Sequence, residues 1–236
     1  MSTKPFHFLA LVAAALAVLA PAYGQQTYVS RYDFYAGYAF LDSPSIGLFE
    51  NGIQMQIGIR PKTWYSLGFD YSYTRGNLTV LPEMLPDALR ASLTAQLGAL
   101  AAAGRLPAGY ALRVPSHSIS QSFAVGPQLA YRHFRKVTLF VRPSMGAIRE
   151  LATPKPADPI ATAIVAQLAP TGKKRDWQGF YGFGYGFDIV VSKHFAIRTQ
   201  GDLVYDHLFN DLLKNGRWTT RFSVGPAFNF GRNIVE

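Results

Sequence analysis

Nine charged residues recur on one face of successive alternating segments: Asp33, Arg60, Asp70, Arg132, Arg142, Asp188, Arg198, Asp202 and Arg221. Their companions on that face are mostly Gly, Ala, Ser and Gln, not the Lys and Glu of a water-facing sheet. Sparse charges among small residues describe an enclosed space, where arginine and aspartate must pair because an unpaired buried charge is very costly. Such a network can serve in two ways. It can fix an interior as a salt-bridged plug, the reading adopted here, or it can reorganise to let ions pass.

Hydrolytic chemistry also has candidates. His117 stands between Ser116 and Ser118, and His207 follows Asp206. Nucleophilic catalysis needs serine, histidine and acid in mutual orientation, and neither grouping sets the three in a recognisable order. No catalytic residue is therefore assigned, and the chain is read as non-enzymatic. Gly182, Gly184 and Gly186 alternate with aromatic residues, which makes them strand positions and not a phosphate-cradling turn before a helix. No metal cluster, cofactor motif or nucleic-acid face is expected.

The elements that must carry this charged face have a period of two. Ile53, Met55, Ile57 and Ile59 alternate with Gln54, Gln56, Gly58 and Arg60, and after a tight turn Tyr65, Leu67, Phe69, Tyr71 and Tyr73 alternate with polar or small residues. Successive side chains of a strand point to opposite faces, so both halves read as strands. The same pattern returns over 32–41, 118–132, 137–149, 177–189, 195–205 and 218–230, giving eight strands. Outward faces this rich in aromatic and branched residues would be an enormous apolar surface in water. Lipid removes the objection, and lipid also requires the sheet to close. Eight strands leave room inside only for side chains. The expected fold is an all-β, eight-stranded, antiparallel up-and-down transmembrane barrel.

Connections support it. Short links at 61–63, 133–136 and 192–194 alternate with longer ones at 42–52, 75–117, 150–176 and 206–217. Outer-membrane barrels have short periplasmic turns and long external loops, which puts both termini in the periplasm. Within the long loops, 86–103 and 159–168 read as helices from their apolar spacing. They are expected to pack as a lid or to offer a surface for a partner protein. Pro127, Pro143 and Pro226 fall inside strands and call for bulges. Trp64, Tyr65 and Tyr131 are expected at the periplasmic girdle, and Tyr73, Trp177 and Trp218 at the external one.

The chain has 236 residues, no cysteine and a net charge of +9, which suits anionic lipid surfaces. Lys4, an apolar run to Ala20 and the small-residue site Ala22-Tyr23-Gly24 read as a signal peptide over residues 1–24. Beyond it no apolar run is long enough for a membrane helix. The remainder divides into a periplasmic N-terminal segment at 25–31, the barrel at 32–230 and a periplasmic C-terminal tail at 231–236.

Phe34-Tyr35-Ala36-Gly37-Tyr38, the Val125-Gly126-Pro127 and Val224-Gly225-Pro226 strand centres, and a closing strand ending at Phe230 resemble the small Gram-negative outer-membrane barrels of the OmpA-like transmembrane-domain and opacity-protein type. The resemblance covers about Tyr32 to Phe230. It implies a bacterial outer-membrane location. With no peptidoglycan-binding domain following, it does not imply the anchoring role of larger members. The expected function is structural or surface-interacting through the external loops. A narrow ion-conducting or gated barrel is the alternative, with a lipid-modifying enzyme ranked below it. Expected partners are outer-membrane lipids and a surface protein or matrix component contacting loops 75–117 and 150–176; the barrel itself is expected to be a monomer.

Overall fold

A computed structural model describes residues 26–213 and 216–235; the expected signal peptide lies outside the described residues. Eight strands form a closed barrel in chain order: β1 (Ser30–Ser43), β2 (Leu48–Lys62), β3 (Tyr65–Val80), β4 (Val114–Tyr131), β5 (Val137–Pro154), β6 (Lys174–Val190), β7 (Phe195–Asp206) and β8 (Arg217–Asn233). Every neighbouring pair is antiparallel. β1 meets β8 to close the ring, with Phe34 opposite Phe228 and Tyr38 opposite Val224. A side chain on Gly225 would strike the backbone of Ala36 and Gly37, so this seam closes only around a glycine.

Alternation explains the ring. In β6, Gly182, Gly184, Gly186 and Asp188 point inward while Phe183 and Tyr185 point outward, 48% and 58% exposed. An apolar exterior of this size is stable only against lipid.

The strands run further than their apolar faces indicate. β1 reaches Ser43 and β2 starts at Leu48, so residues 42–52 are not a long link but a tight turn over Pro44–Ile46 and Gly47. Residues 75–80 pair with 114–119, and 150–154 and 174–176 extend β5 and β6. The inward face continues here with Glu50, Ser116, Ser118 and Glu150, whose buried polar groups hold the sheet together beyond the aromatic belt. At the other end β1 begins at Ser30 and β8 continues to Asn233. Asn233 Oδ1 accepts from the Val29 N–H at 2.9 Å, so the terminal segments partly belong to the wall.

The three prolines impose no bulge. Val125 opposes Met145 and Leu129 opposes Val141, so Pro127 and Pro143 face one another at a single interruption with unbroken register. Pro226 pairs with Ile197 on the β7 side, and the β1–β8 ladder skips it without a shift. A proline removes a donor, but two prolines sharing one gap need no inserted residue. Register shifts occur instead near Ser30/Tyr32 and Ile59/Lys62.

Two helices lie outside the sheet: α1 (Asp87–Ala102) and α2 (Pro159–Leu168). Pro159 opens α2 with its φ already helical, and the Asp158 carboxylate accepts from the Ala161 N–H at 2.8 Å. Tyr110 donates to both Asp158 oxygens at 3.0 and 3.1 Å. Burial first, then the carboxylate, raises the Tyr110 phenol above its usual pKa. Leu93 of α1 and Ala161 and Ile164 of α2 are buried with Leu85, Leu112 and Val114, so the helices share one apolar core above the barrel. Neither is long and apolar enough to cross a membrane.

Candidate functional site

The lumen is filled in three tiers. Nearest the short turns, Arg198 is fully buried and grips Asp188 with two bonds, Nε to Oδ1 at 2.7 Å and Nη2 to Oδ2 at 2.9 Å. It also reaches Asp33 at 3.2 Å and the Gln56 amide oxygen at 3.1 Å. Its guanidinium lies 5.6 Å from the Tyr35 ring and 5.1 Å from the Phe140 ring. Phe140 fits because Gly186 opposes it; a methyl there would sit 2.6 Å from the ring. Arg60 lies 3.4 Å from Asp33 and donates to Ser30 O and Asn229 Oδ1, both at 3.0 Å.

The middle tier is a closed circuit. Arg142 bridges Asp70 at 3.1 Å and Asp202 at 3.0 Å, and Arg221 bridges the same two acids at 3.3 and 3.0 Å. Arg221 also donates to Ser72 and Ser122, and Gln54 donates to Asp70 at 2.6 Å. Charge-assisted bonds of this kind are the strong ones, and here each charge has an opposite partner. Gln200 is different: its amide is buried without a partner among the described residues.

The uppermost tier holds residues that alternation over the apolar strands did not reach. Glu50 accepts from Thr74 and Ser118, both at 2.6 Å. Glu150 lies 3.0 Å from the same Ser118 hydroxyl, whose one proton the two carboxylates share, and accepts from Arg217 at 3.3 Å. Arg217 lies 3.4 Å from Asp206 and donates to Leu208 O at 2.9 Å, drawing the last loop inward. Leu208, Phe209 and Leu213 thereby join Leu41, Leu48, Leu78, Ile148 and Phe180 in an apolar plug. Phe209 takes a left-handed φ of 54° to bury its ring. The signal for this tier was parity: Glu50 continues the face of Gln54 and Gln56, and Arg217 that of Arg221.

Arg132 stands apart from the other eight expected charges. It lies just past β4, donating to Thr63 O at 2.8 Å, Thr138 Oγ1 at 2.9 Å and Gln26 Oε1 at 3.2 Å, and it closes the short-turn mouth without an ion pair in that set.

The hydrolytic candidates diverge. Ser116 and Ser118 are buried in the lumen, whereas His117 points outward to Asn77 Oδ1 at 3.2 Å. Asp206 faces Arg217, while His207 packs edge-on against Tyr205 at 5.0 Å. Catalytic groups that point through opposite faces of a sheet cannot act on one bond. Among the described residues no His/Cys/Asp/Glu group fits a metal ion.

On the outside, Trp64 packs on Tyr65 at 5.7 Å and Tyr131 stacks on His133 at 5.8 Å, both near short turns. Toward the other rim, Trp177 meets Phe123 at 6.1 Å, and Trp218 meets Tyr205 at 5.0 Å and Tyr181 at 6.4 Å. Tyr73, half-buried, pairs with Ile53.

A closed antiparallel sheet, charged and filled within and apolar without, defines a membrane-spanning β-barrel of the outer-membrane kind. Solved structures with a similar course include Neisserial surface protein A, at 11% identity and TM-score 0.49 over 84% of this chain and 96% of that one. Ail, the attachment invasion locus protein of Yersinia pestis, aligns at 12% identity and TM-score 0.48 over 86% and 99%, in a complex with a heparin analogue. The outer membrane protein OprG of Pseudomonas aeruginosa aligns at 6% identity and TM-score 0.45 over 88% and 99%. No family model and no curated protein matches the chain. The architecture rests on the strand pairing itself; these likenesses decide nothing about function.

Proposed function

We propose that the protein is a non-catalytic outer-membrane barrel whose lumen is structural and whose interactions are made by the helical cap outside the membrane. The observation that carries this reading is the middle tier, where Arg142, Arg221, Asp70 and Asp202 form a closed circuit of ion pairs across the lumen. A site specialised for ion passage would leave some of that charge free to meet ions. The cap, in contrast, offers accessible surface: Arg90, Thr94, Arg105, Lys155 and Thr171 are all exposed. The girdle assignment belongs to this reading too, with Trp64, Tyr65 and Tyr131 at the periplasmic interface and Tyr73, Trp177 and Trp218 at the external one.

The test is to replace residues 87–102 with a short Gly-Ser linker. Because the ion-paired tiers lie within the strands, the variant should still fold, shown by heat-dependent migration in SDS. Its attachment to host-cell matrix and to envelope proteins should fall relative to wild type. Equal attachment by both proteins would leave a passive membrane component and remove the cap from the account.

A further inference from the structure

Between the apolar plug and the helical cap lies a cavity of about 100 Å³. Ile46, Leu78 and Val80 form its barrel side, and Leu93, Leu112 and Ile164 its cap side. Protein interiors normally close such voids, and apolar ones that persist stay dry and accept small apolar molecules. One polar group on the wall is under-used. Ser116 is 4% exposed, yet among the described residues its hydroxyl has only the Val114 carbonyl, at a long 3.4 Å. The other polar neighbours are committed: Glu150 to Ser118 and Arg217, and Lys174 at the rim to Asp211.

We propose that this cavity binds a small aliphatic molecule bearing one hydroxyl or carbonyl group, with its chain among the leucines and its oxygen on Ser116. An engineered apolar cavity of about 150 Å³ takes benzene, so this one suits a chain end of only a few carbons. The occupant is a free molecule and not a membrane lipid, because the volume holds only a few carbons and the paired strands carry the wall up to the cavity, at Val80–Val114 and Ala152–Lys174. The inference does not depend on what the outer surface of the cap contacts.

A diazirine-bearing pentanol, photoactivated with the protein in nanodiscs and mapped by mass spectrometry, tests it. Adducts should appear on peptides containing Leu93, Leu112 or Ile164 and should be competed away by excess 1-pentanol. Leu112→Trp, or Ile164→Phe should the first fail to fold, fills the space and should abolish these adducts. Labelling of the lipid-facing Phe183 and Tyr185 should persist in either variant. Ser116→Ala should raise the pentanol concentration needed for competition about three- to tenfold, the worth of one hydrogen bond, without changing competition by pentane. Adducts confined to the lipid-facing belt, or cap adducts untouched by the filling variants, would overturn the site. Cap adducts from a phospholipid carrying the diazirine in its acyl chain would overturn the choice of ligand.

Discussion

Arg198 shows what a single residue does in this lumen. Wholly buried, it engages two carboxylates, one amide and two aromatic rings. Replacing it by alanine strands Asp188 and weakens the pairing of Asp33. Loss of one partner from a buried ion pair costs about 3–5 kcal/mol. Arg198→Ala should therefore unfold at much lower denaturant in lipid micelles, while Arg132→Ala should lose about 1 kcal/mol, since its bonds go to neutral acceptors at the mouth. Equal losses for the two would mean that the tier does not hold the barrel together. Most of these residues could be read from the sequence, because an arginine on the small-residue face of a strand is conspicuous. Glu50, Glu150, Asp206 and Arg217 were not so plain. Past the lipid belt the outward side chains become polar too, as His117 does between Ser116 and Ser118, and the contrast that marks a strand fades.

The elements divide by what fixes them. Eight strands and both helices were legible, since each follows a short local period. Their ends were less so, because inward hydrogen bonds such as Thr74 to Glu50 extend the sheet where apolar patterning has stopped. Pro127 and Pro143 illustrate the same limit: only the register reveals that they share one gap. The helical connections leave one end of the barrel and the β2–β3, β4–β5 and β6–β7 turns the other, and this sets a test of sidedness. Single cysteines at Arg105 and Thr171, both exposed on the cap side, should label in intact cells with an impermeant maleimide. One at Lys62, exposed at the β2–β3 end, should label only after the outer membrane is permeabilised. Labelling of Lys62→Cys alone in intact cells would turn the molecule over.

At the scale of the whole molecule, a closed wall, ion-paired tiers and an apolar plug with a helical cap make one continuous obstruction. All three tiers are built on strand residues, the last loop adding Leu208, Phe209 and Leu213 to the plug, so the barrel is closed even where the cap is absent. Planar-bilayer recording tests this most directly. The wild type should show no steady conductance, and Arg142→Ala should flicker open with cation preference, because Asp70 and Asp202 then keep only Arg221 between them. Steady wild-type conductance, with an ion selectivity that shifts when Arg142 is removed, would contradict the account and make the same charges the lining of a pore.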